Sequence, residues 1–297
     1  MTVNPDARKS LKIFKEEWKD CTKCNLGTLR DQRGKVAVFG EGTALGGVMF
    51  VGEGPGWEEE EEGRPFIGNS GRLLRKVIQA LHLEDYYISN AVACRSCEAA
   101  VNARGETVVR KNFKTGQEEI LYADKAPNKI QVGACLPRLQ EEIYLVDPIV
   151  IVSLGAIATE ALTGHAVSIQ KDRGMPEEIT IPGAGVRPVI TEKRKAWARK
   201  MGDSIVMPTE QNRVAYTLIP AYHPAFVLRK SGDFSEDNPF KRFVNDIRFA
   251  VTIYHRYLLE VFGEAAFINR IQPLTNDEEI DYAGLLAEEE GAGHGSE

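Results

Sequence analysis

The residues of this chain that could do chemistry are its cysteines, one glycine- and proline-rich loop, a run of acids and a few single polar or aromatic side chains. Cys21 and Cys24 form one CxxC pair, and Cys94 and Cys97 a second. Two such pairs are a metal signature, most simply for zinc. The 69 residues between Cys24 and Cys94 are too many for a compact zinc ribbon, however, and Cys135 offers a different fourth ligand. Four thiolates hold a [4Fe–4S] cube as well as they hold a zinc ion. Spacing alone therefore leaves zinc, an iron–sulfur cluster and free thiols open. The loop Gly52-Glu53-Gly54-Pro55-Gly56 is not GxGxxG, and no GxxxxGK[ST] occurs, which argues against a nucleotide-phosphate loop. Its glycines let backbone N–H groups come close to a ligand, or they simply make a tight turn. Glu58 to Glu62 is a run of five acids that reads mostly as a solvated face, with one member free to reach a cleft. Phe66, Asn90 and His223 each have an ordinary reading as core, strand-end cap and structural histidine.

The elements that carry these residues set them apart. Val48–Val51, Tyr86–Asn90, Ile149–Ser153 and Val214–Ile219 read as strands, and 70–81, 128–146, 156–162 and 239–262 as helices. The first 20 residues read as an amphipathic helix running into Cys21. Alternation of strand and helix predicts an α/β fold, a three-layer αβα sandwich around a parallel sheet of about four strands. Such sheets build their sites at the carboxyl ends of the strands. The glycine loop, Asn90, Gly155 and His223 all fall there.

The 297 residues are 43% hydrophobic and 27% charged, enough for a proper core, which excludes a mostly disordered chain. No apolar run reaches membrane-span length and the N-terminus lacks a signal-peptide core, so a cytoplasmic protein is expected. The net charge of −6 is unevenly spread: residues 271–297 hold eight acids and no base, leaving 37 bases against 35 acids in 1–270. A basic face for DNA is thus permitted. One domain over 1–270 is expected, with inserts at about 98–126, read as a hairpin around Lys114–Gln117, and 184–213. Between Arg187 and Lys200 the second insert carries Arg187, Lys193, Arg194, Lys195, Arg199 and Lys200 against one acid, Glu192. The segment 271–297 reads as an acidic, disordered tail.

In order and spacing, Gly52–Gly56, Gly63–Gly68 with Ser70–Leu74, Tyr87–Asn90 with Cys94-Arg95, Pro148–Gly155, Arg173-Gly174 and Tyr222–Phe226 together resemble the uracil-DNA glycosylase superfamily, nearest its iron–sulfur branch, family 4. The resemblance spans roughly residues 10 to 260 apart from the inserts. It implies a monofunctional glycosylase of base-excision repair that flips uracil out of DNA, single- or double-stranded, and hydrolyses its N-glycosidic bond. It implies cluster ligands Cys21, Cys24, Cys94 and Cys135, with Cys97 a spare thiol. Phe66 would stack on the base, Asn90 would pair with its edge, and Gly54 and His223 would stabilise charge on the leaving base. Glu53 and Glu59 are the polar candidates for guiding water.

Lys193, Arg194, Lys195 and Arg229 are the candidate DNA contacts, in a monomer associated with the nucleoid and with a protein partner for its tail. The sequence departs from the family where Cys-Arg-Pro-Pro reads Cys94-Arg95-Ser96-Cys97. Two other functions stay open: a glycosylase of the same fold acting on another damaged or modified pyrimidine, and a non-catalytic DNA-binding or replication-associated module.

Overall fold

In the computed structural model, described for residues 5–43, 47–111, 116–182, 213–233, 235 and 237–262, the four predicted strands and the helices predicted after residue 20 are present within a residue or two of their expected bounds, and the first helix is described over Pro5–Trp18. The strands are β1 (Glu41–Gly42), β2 (Val48–Gly52), β3 (Tyr86–Asn90), β4 (Cys97–Ala99), β5 (Val109–Lys111), β6 (Glu118–Ile120), β7 (Tyr122–Asp124), β8 (Val150–Leu154), β9 (Glu177–Pro182) and β10 (Arg213–Ala221). The helices are α1 (Pro5–Trp18), α2 (Asn25–Gln32), α3 (Trp57–Glu62), α4 (Asn69–Ala80), α5 (Lys129–Val146), α6 (Ala156–Thr163), α7 (Ile169–Asp172), α8 (Pro224–Leu228) and α9 (Pro239–Phe262).

The main sheet has six strands in the order β1-β3-β2-β8-β10-β9. Its four central strands are parallel, as expected. The two edges, β1 and β9, are antiparallel additions, so the sheet is larger than the expected four. Side chains alternate across the pleat. Val48 and Phe50 of β2 join Leu73, Val77, Phe243 and Ile247 of α4 and α9 on one face. Met49 and Val51 join Leu139, Ile143 and Ala158 of α5 and α6 on the other. Both faces are covered by helices, which is why the central strands are apolar throughout rather than alternating.

The first insert is more than one hairpin. β5 pairs antiparallel with β6, and β4 pairs antiparallel with β7, so the segment is a nested ribbon; part of the expected turn at Lys114–Gln117 lies outside the described residues. Its base is anchored by Arg95, which donates from Nε to Asp124 Oδ1 (2.5 Å) and from Nη2 to the Tyr122 carbonyl (3.1 Å). The basic stretch of the second insert, with Lys193, Arg194 and Lys195, lies outside the described residues, as does the acidic tail. Among the described residues no helix is long and apolar enough to cross a membrane.

Candidate active site and thiol cavity

Parallel register brings the carboxyl ends of the central strands side by side. Gly52 ends β2 directly opposite Asn90 at the end of β3, Gly155 follows β8, and His223 stands two residues beyond the end of β10. Gly52 is needed because it has no side chain: a Cβ there would lie 2.4 Å from Phe66 Cζ and 2.6 Å from Asn90 Oδ1. The Phe66 ring and the Asn90 amide therefore meet over the strand end. Asn90 is only 2% exposed, yet its Oδ1 has no hydrogen-bond partner among the described residues. An unpaired buried acceptor is costly unless a ligand completes it.

Phe66 sits at φ 54°, the left-handed region that bulky residues avoid. Arg75 of α4 holds it there, donating from Nε to the Phe66 carbonyl (3.0 Å) and from Nη2 to the Pro65 carbonyl (3.0 Å), with Glu41 of β1 paired to the same guanidinium at 2.6 Å. Neither Arg75 nor Glu41 was expected from sequence; the only local signal is that Arg75 follows the Ser70–Leu74 stretch by one residue.

His223 faces Phe66 with ring centroids 6.3 Å apart. A Cβ added at Gly155, which sits at φ 90°, would lie 3.1 Å from His223 Cβ, and a side chain would be strained at that φ. His223 Nδ1 accepts from the Ala225 N–H at 3.2 Å, capping α8, so the neutral ring carries its proton on Nε2. Burial, aided by the nearby Arg229 charge, lowers its pKa to about 4, so it is neutral at pH 7. Arg229 itself is exposed at the end of α8.

The loop after β2 is pinned by Ala91 and Val92, whose N–H groups donate to the Gly52 and Glu53 carbonyls at 2.8 and 3.2 Å. The Gly54 N–H makes no hydrogen bond among the described residues and so remains a donor at the pocket rim. Burial raises the pKa of Glu53, whose carboxylate has no hydrogen-bond or ion-pair partner among the described residues. Glu59 is occupied differently. Its two oxygens accept from the Gly56 and Gly68 N–H groups, both at 3.0 Å, strapping the glycine loop to the start of α4.

Of the rest of the acid run, Glu58, Glu61 and Glu62 are exposed, as expected, and Glu60 is the one that is buried. Glu60 is buried, accepts from Arg33 at 2.5 and 2.7 Å and lies 3.8 Å from Arg95. Glu58 pairs with Arg72 at 3.6 Å, and Glu61 with Lys35. Folding these acids into α3 presents them to Arg33 just after α2, Arg72 of α4 and Arg95 in the loop after β3, which one-dimensional spacing does not reveal.

Cys21, Cys24, Cys94 and Cys135 line one cavity; Cys97 does not line it. The wall is largely apolar, with Leu26, Ala37 and Val92 packed around Cys24, Cys94 and Cys135. Two buried guanidiniums complete it. Arg30 Nη1 lies 3.5 Å from Cys94 Sγ, and Arg138 stands beside Cys135 with its Nε left without a well-formed hydrogen bond.

Burial pushes the Cys94 thiol up to about 11, against the pull of Arg30. Nothing else among the described residues would take such a set of thiols and cations together, and it suits an anionic thiolate-bound group. Among the described residues no three His, Cys, Asp or Glu side chains are grouped as a single-ion site.

A family model for the uracil DNA glycosylase superfamily matches residues 39–248. The chain is 32% identical over 227 residues to the type-4 uracil-DNA glycosylase of Pyrobaculum aerophilum, covering 74% of this chain and 86% of that one. It is 30% identical over 226 residues to the protein of the same name from Sulfurisphaera tokodaii, covering 74% and 76%. To that of Thermotoga maritima it is 34% identical over 169 residues, or 56% and 73%. This chain, with its strand-end pocket and its cavity of four thiols, belongs to the uracil-DNA glycosylase superfamily, in the type-4 branch.

Proposed function

We propose that this protein excises uracil from DNA by hydrolysing the N-glycosidic bond of a flipped-out deoxyuridine, leaving an abasic site. The observation that carries the reading is the buried, unpartnered Asn90 Oδ1 against the Phe66 ring, with a neutral His223 across the pocket. A base entering there stacks on Phe66. The Asn90 Oδ1 accepts from uracil N3–H, and its amide N–H donates to O4. Cytosine reverses both polarities, and a fixed amide then leaves buried groups unpaired at a cost of about 1–3 kcal/mol each.

As the bond breaks, negative charge gathers on the base, largely at O2. The Gly54 N–H and His223 Nε2–H are free to donate to it, the logic of an oxyanion hole. A neutral imidazole suits this role, because it donates without first needing a proton. Water then adds to the cation-like sugar. Glu53, desolvated and unpaired, is the better placed of the two candidates to orient that water, since both Glu59 oxygens already hold backbone. The matched motifs offer no lysine nucleophile, in keeping with a monofunctional enzyme.

Cys21, Cys24, Cys94 and Cys135 would hold a [4Fe–4S] cluster, supported by their shared apolar cavity and its two guanidiniums. Bound there, the cluster would staple the segment after α1 to β3 and α5, a structural service. In this reading residues 1–270 form one glycosylase unit working as a monomer on nucleoid DNA in the cytoplasm. Lys193, Arg194, Lys195 and Arg229 contact the phosphate backbone. Oligonucleotides bearing U, T, hypoxanthine, xanthine or a modified cytosine, cleaved with alkali after incubation, test the function: strand scission at U alone is expected, and scission only at another base refutes uracil as the substrate.

A further inference from the structure

Arg138 of α5 is 1% exposed and Glu142, one turn on, 0%. Arg138 Nη2 donates to the carbonyls of Asn90 (2.5 Å) and Ala91 (3.0 Å), and Nη1 donates to Glu142 Oε2 (2.7 Å). Glu142 is saturated: its Oε2 also accepts from the Ser89 hydroxyl (2.5 Å), and its Oε1 from the Tyr87 hydroxyl (3.0 Å) and the Gly40 N–H (2.9 Å). The end of β3 is thus clamped through Tyr87, Ser89 and Asn90 to one ion pair on α5. The same guanidinium lines the thiol cavity beside Cys135.

We propose that Arg138 is a positioning residue for the base-reading amide: from the wall of the thiol cavity it fixes the backbone at Asn90 and so sets where that side chain meets the base. This rests on the uracil reading above. A lone amide with no protein partner has only its own backbone to hold it in place, and a planar guanidinium bridging two successive carbonyls is a rigid pin. A lysine ammonium keeps the charge beside Glu142 but cannot hold both carbonyls and the carboxylate in that planar geometry.

The test is Arg138→Lys in the full-length protein purified with its iron. Two probes are compared: deoxyuridine, and a 2-pyrimidinone deoxynucleotide, which keeps O2 but lacks both O4 and the N3–H. Dissociation constants are measured with non-hydrolysable 2′-fluoro versions of each in duplex DNA, single-turnover rates with the cleavable versions, and iron content alongside. Arg138→Lys should retain iron and should shrink the preference for uracil about tenfold in both binding and rate, because misplacing a positioning group by a fraction of an ångström acts on the edge that Asn90 reads.

Glu142→Gln, which leaves the carbonyl clamp in place, should lower stability and hold the preference. Equal losses on both probes, or an unchanged preference, overturn the proposal. Should Arg138→Lys fail to fold, Arg138→Met combined with Glu142→Gln, which leaves no buried charge, carries the same comparison. If the wild-type protein prefers uracil in binding but cleaves neither probe, the glycosylase reading fails while the binding preference still judges Arg138.

Discussion

Replacing Gly52 by alanine tests whether the space over the end of β2 is the base pocket. The new Cβ would lie 2.4 Å from Phe66 Cζ and 2.6 Å from Asn90 Oδ1. Non-bonded carbons rest at about 3.5–4.0 Å, so the ring must withdraw by roughly 1 Å. It has little freedom to do so, since Arg75 holds its carbonyl and its backbone already sits at φ 54°. Overpacking of this kind costs about 1–3 kcal/mol of stability, which a single domain survives. Catalysis is less forgiving, because a misplacement of about 1 Å in a positioned group costs on the order of 10²-fold in rate. Gly133→Ala on α5 is the control: a Cβ there meets nothing within 4 Å, and helical Gly→Ala stabilises by roughly 0.5–1 kcal/mol. Single-turnover excision and thermal unfolding are measured on both variants. A folded Gly52→Ala protein that excises uracil at the wild-type rate would falsify the placement of the base between Phe66, Asn90 and Gly52.

Further expectations attach to the other groups. Cys135→Ala should bleach the broad absorbance near ~400 nm expected of a thiolate-bound iron cluster, and Cys97→Ala should not; the reverse pattern would make the two CxxC pairs the ligands. His223→Ala should slow excision on the order of 10²–10³-fold with little change in affinity, because its donor acts on charge present only as the bond breaks; an unchanged single-turnover rate removes it from the mechanism. The same residue sets a pH dependence. With a folded pKa of about 4 against 6.5 when exposed, the native state binds fewer protons than the unfolded one between those values. Stability is therefore full above about pH 6.5 and falls toward pH 4, and His255, also lowered to about 4 by burial, adds with the same sign. His223→Ala should flatten that slope in denaturant titrations, and an unaltered slope would mean the imidazole is not desolvated. Glu60→Gln leaves Arg33 and Arg95 without their buried counter-charge and should cost about 3 kcal/mol in chemical denaturation; a loss below measurement error would show the pair to be solvated. Neutralising Lys193, Arg194 and Lys195 together should make the plot of log K against log salt shallower by about 0.9 for each phosphate left without its cation, and an unaltered slope takes the insert off the DNA face.

The four parallel strands and their helices were legible because buried parallel strands are short continuous apolar runs, and helices such as α4 and α9 repeat their apolar residues at helical spacing. The edge strands were not. β1 is two residues long, and the alternation in β9, Ile179 and Ile181 buried between Glu178 and Thr180, spans only six residues next to the basic insert. The pocket was legible for a related reason: a parallel sheet puts its loops at the strand ends, so Gly52, Asn90 and His223 had to come together once the strands were placed. What supports them was hidden. The Phe66 backbone at positive φ depends on Arg75, and Asn90 on Arg138, 48 residues away along the chain. Such contacts join elements whose relative placement no local pattern encodes.

The acid run shows why charge counted along a chain is a poor guide to the field a ligand meets. Five successive glutamates beside the pocket loop would oppose the approach of a polyanion if all were free. In the fold, Glu58 faces Arg72, Glu59 is taken up by two backbone N–H groups, Glu60 by Arg33 with Arg95 near, and Glu61 by Lys35. Three of the five are thereby matched by cations, and a fourth is spent on geometry. The run works as a brace that ties the glycine loop, α2, α4 and the base of the first insert into one frame around the pocket. The repulsion that the sequence suggests is largely cancelled locally, so a near-neutral body can present a pocket to DNA without a strongly basic composition.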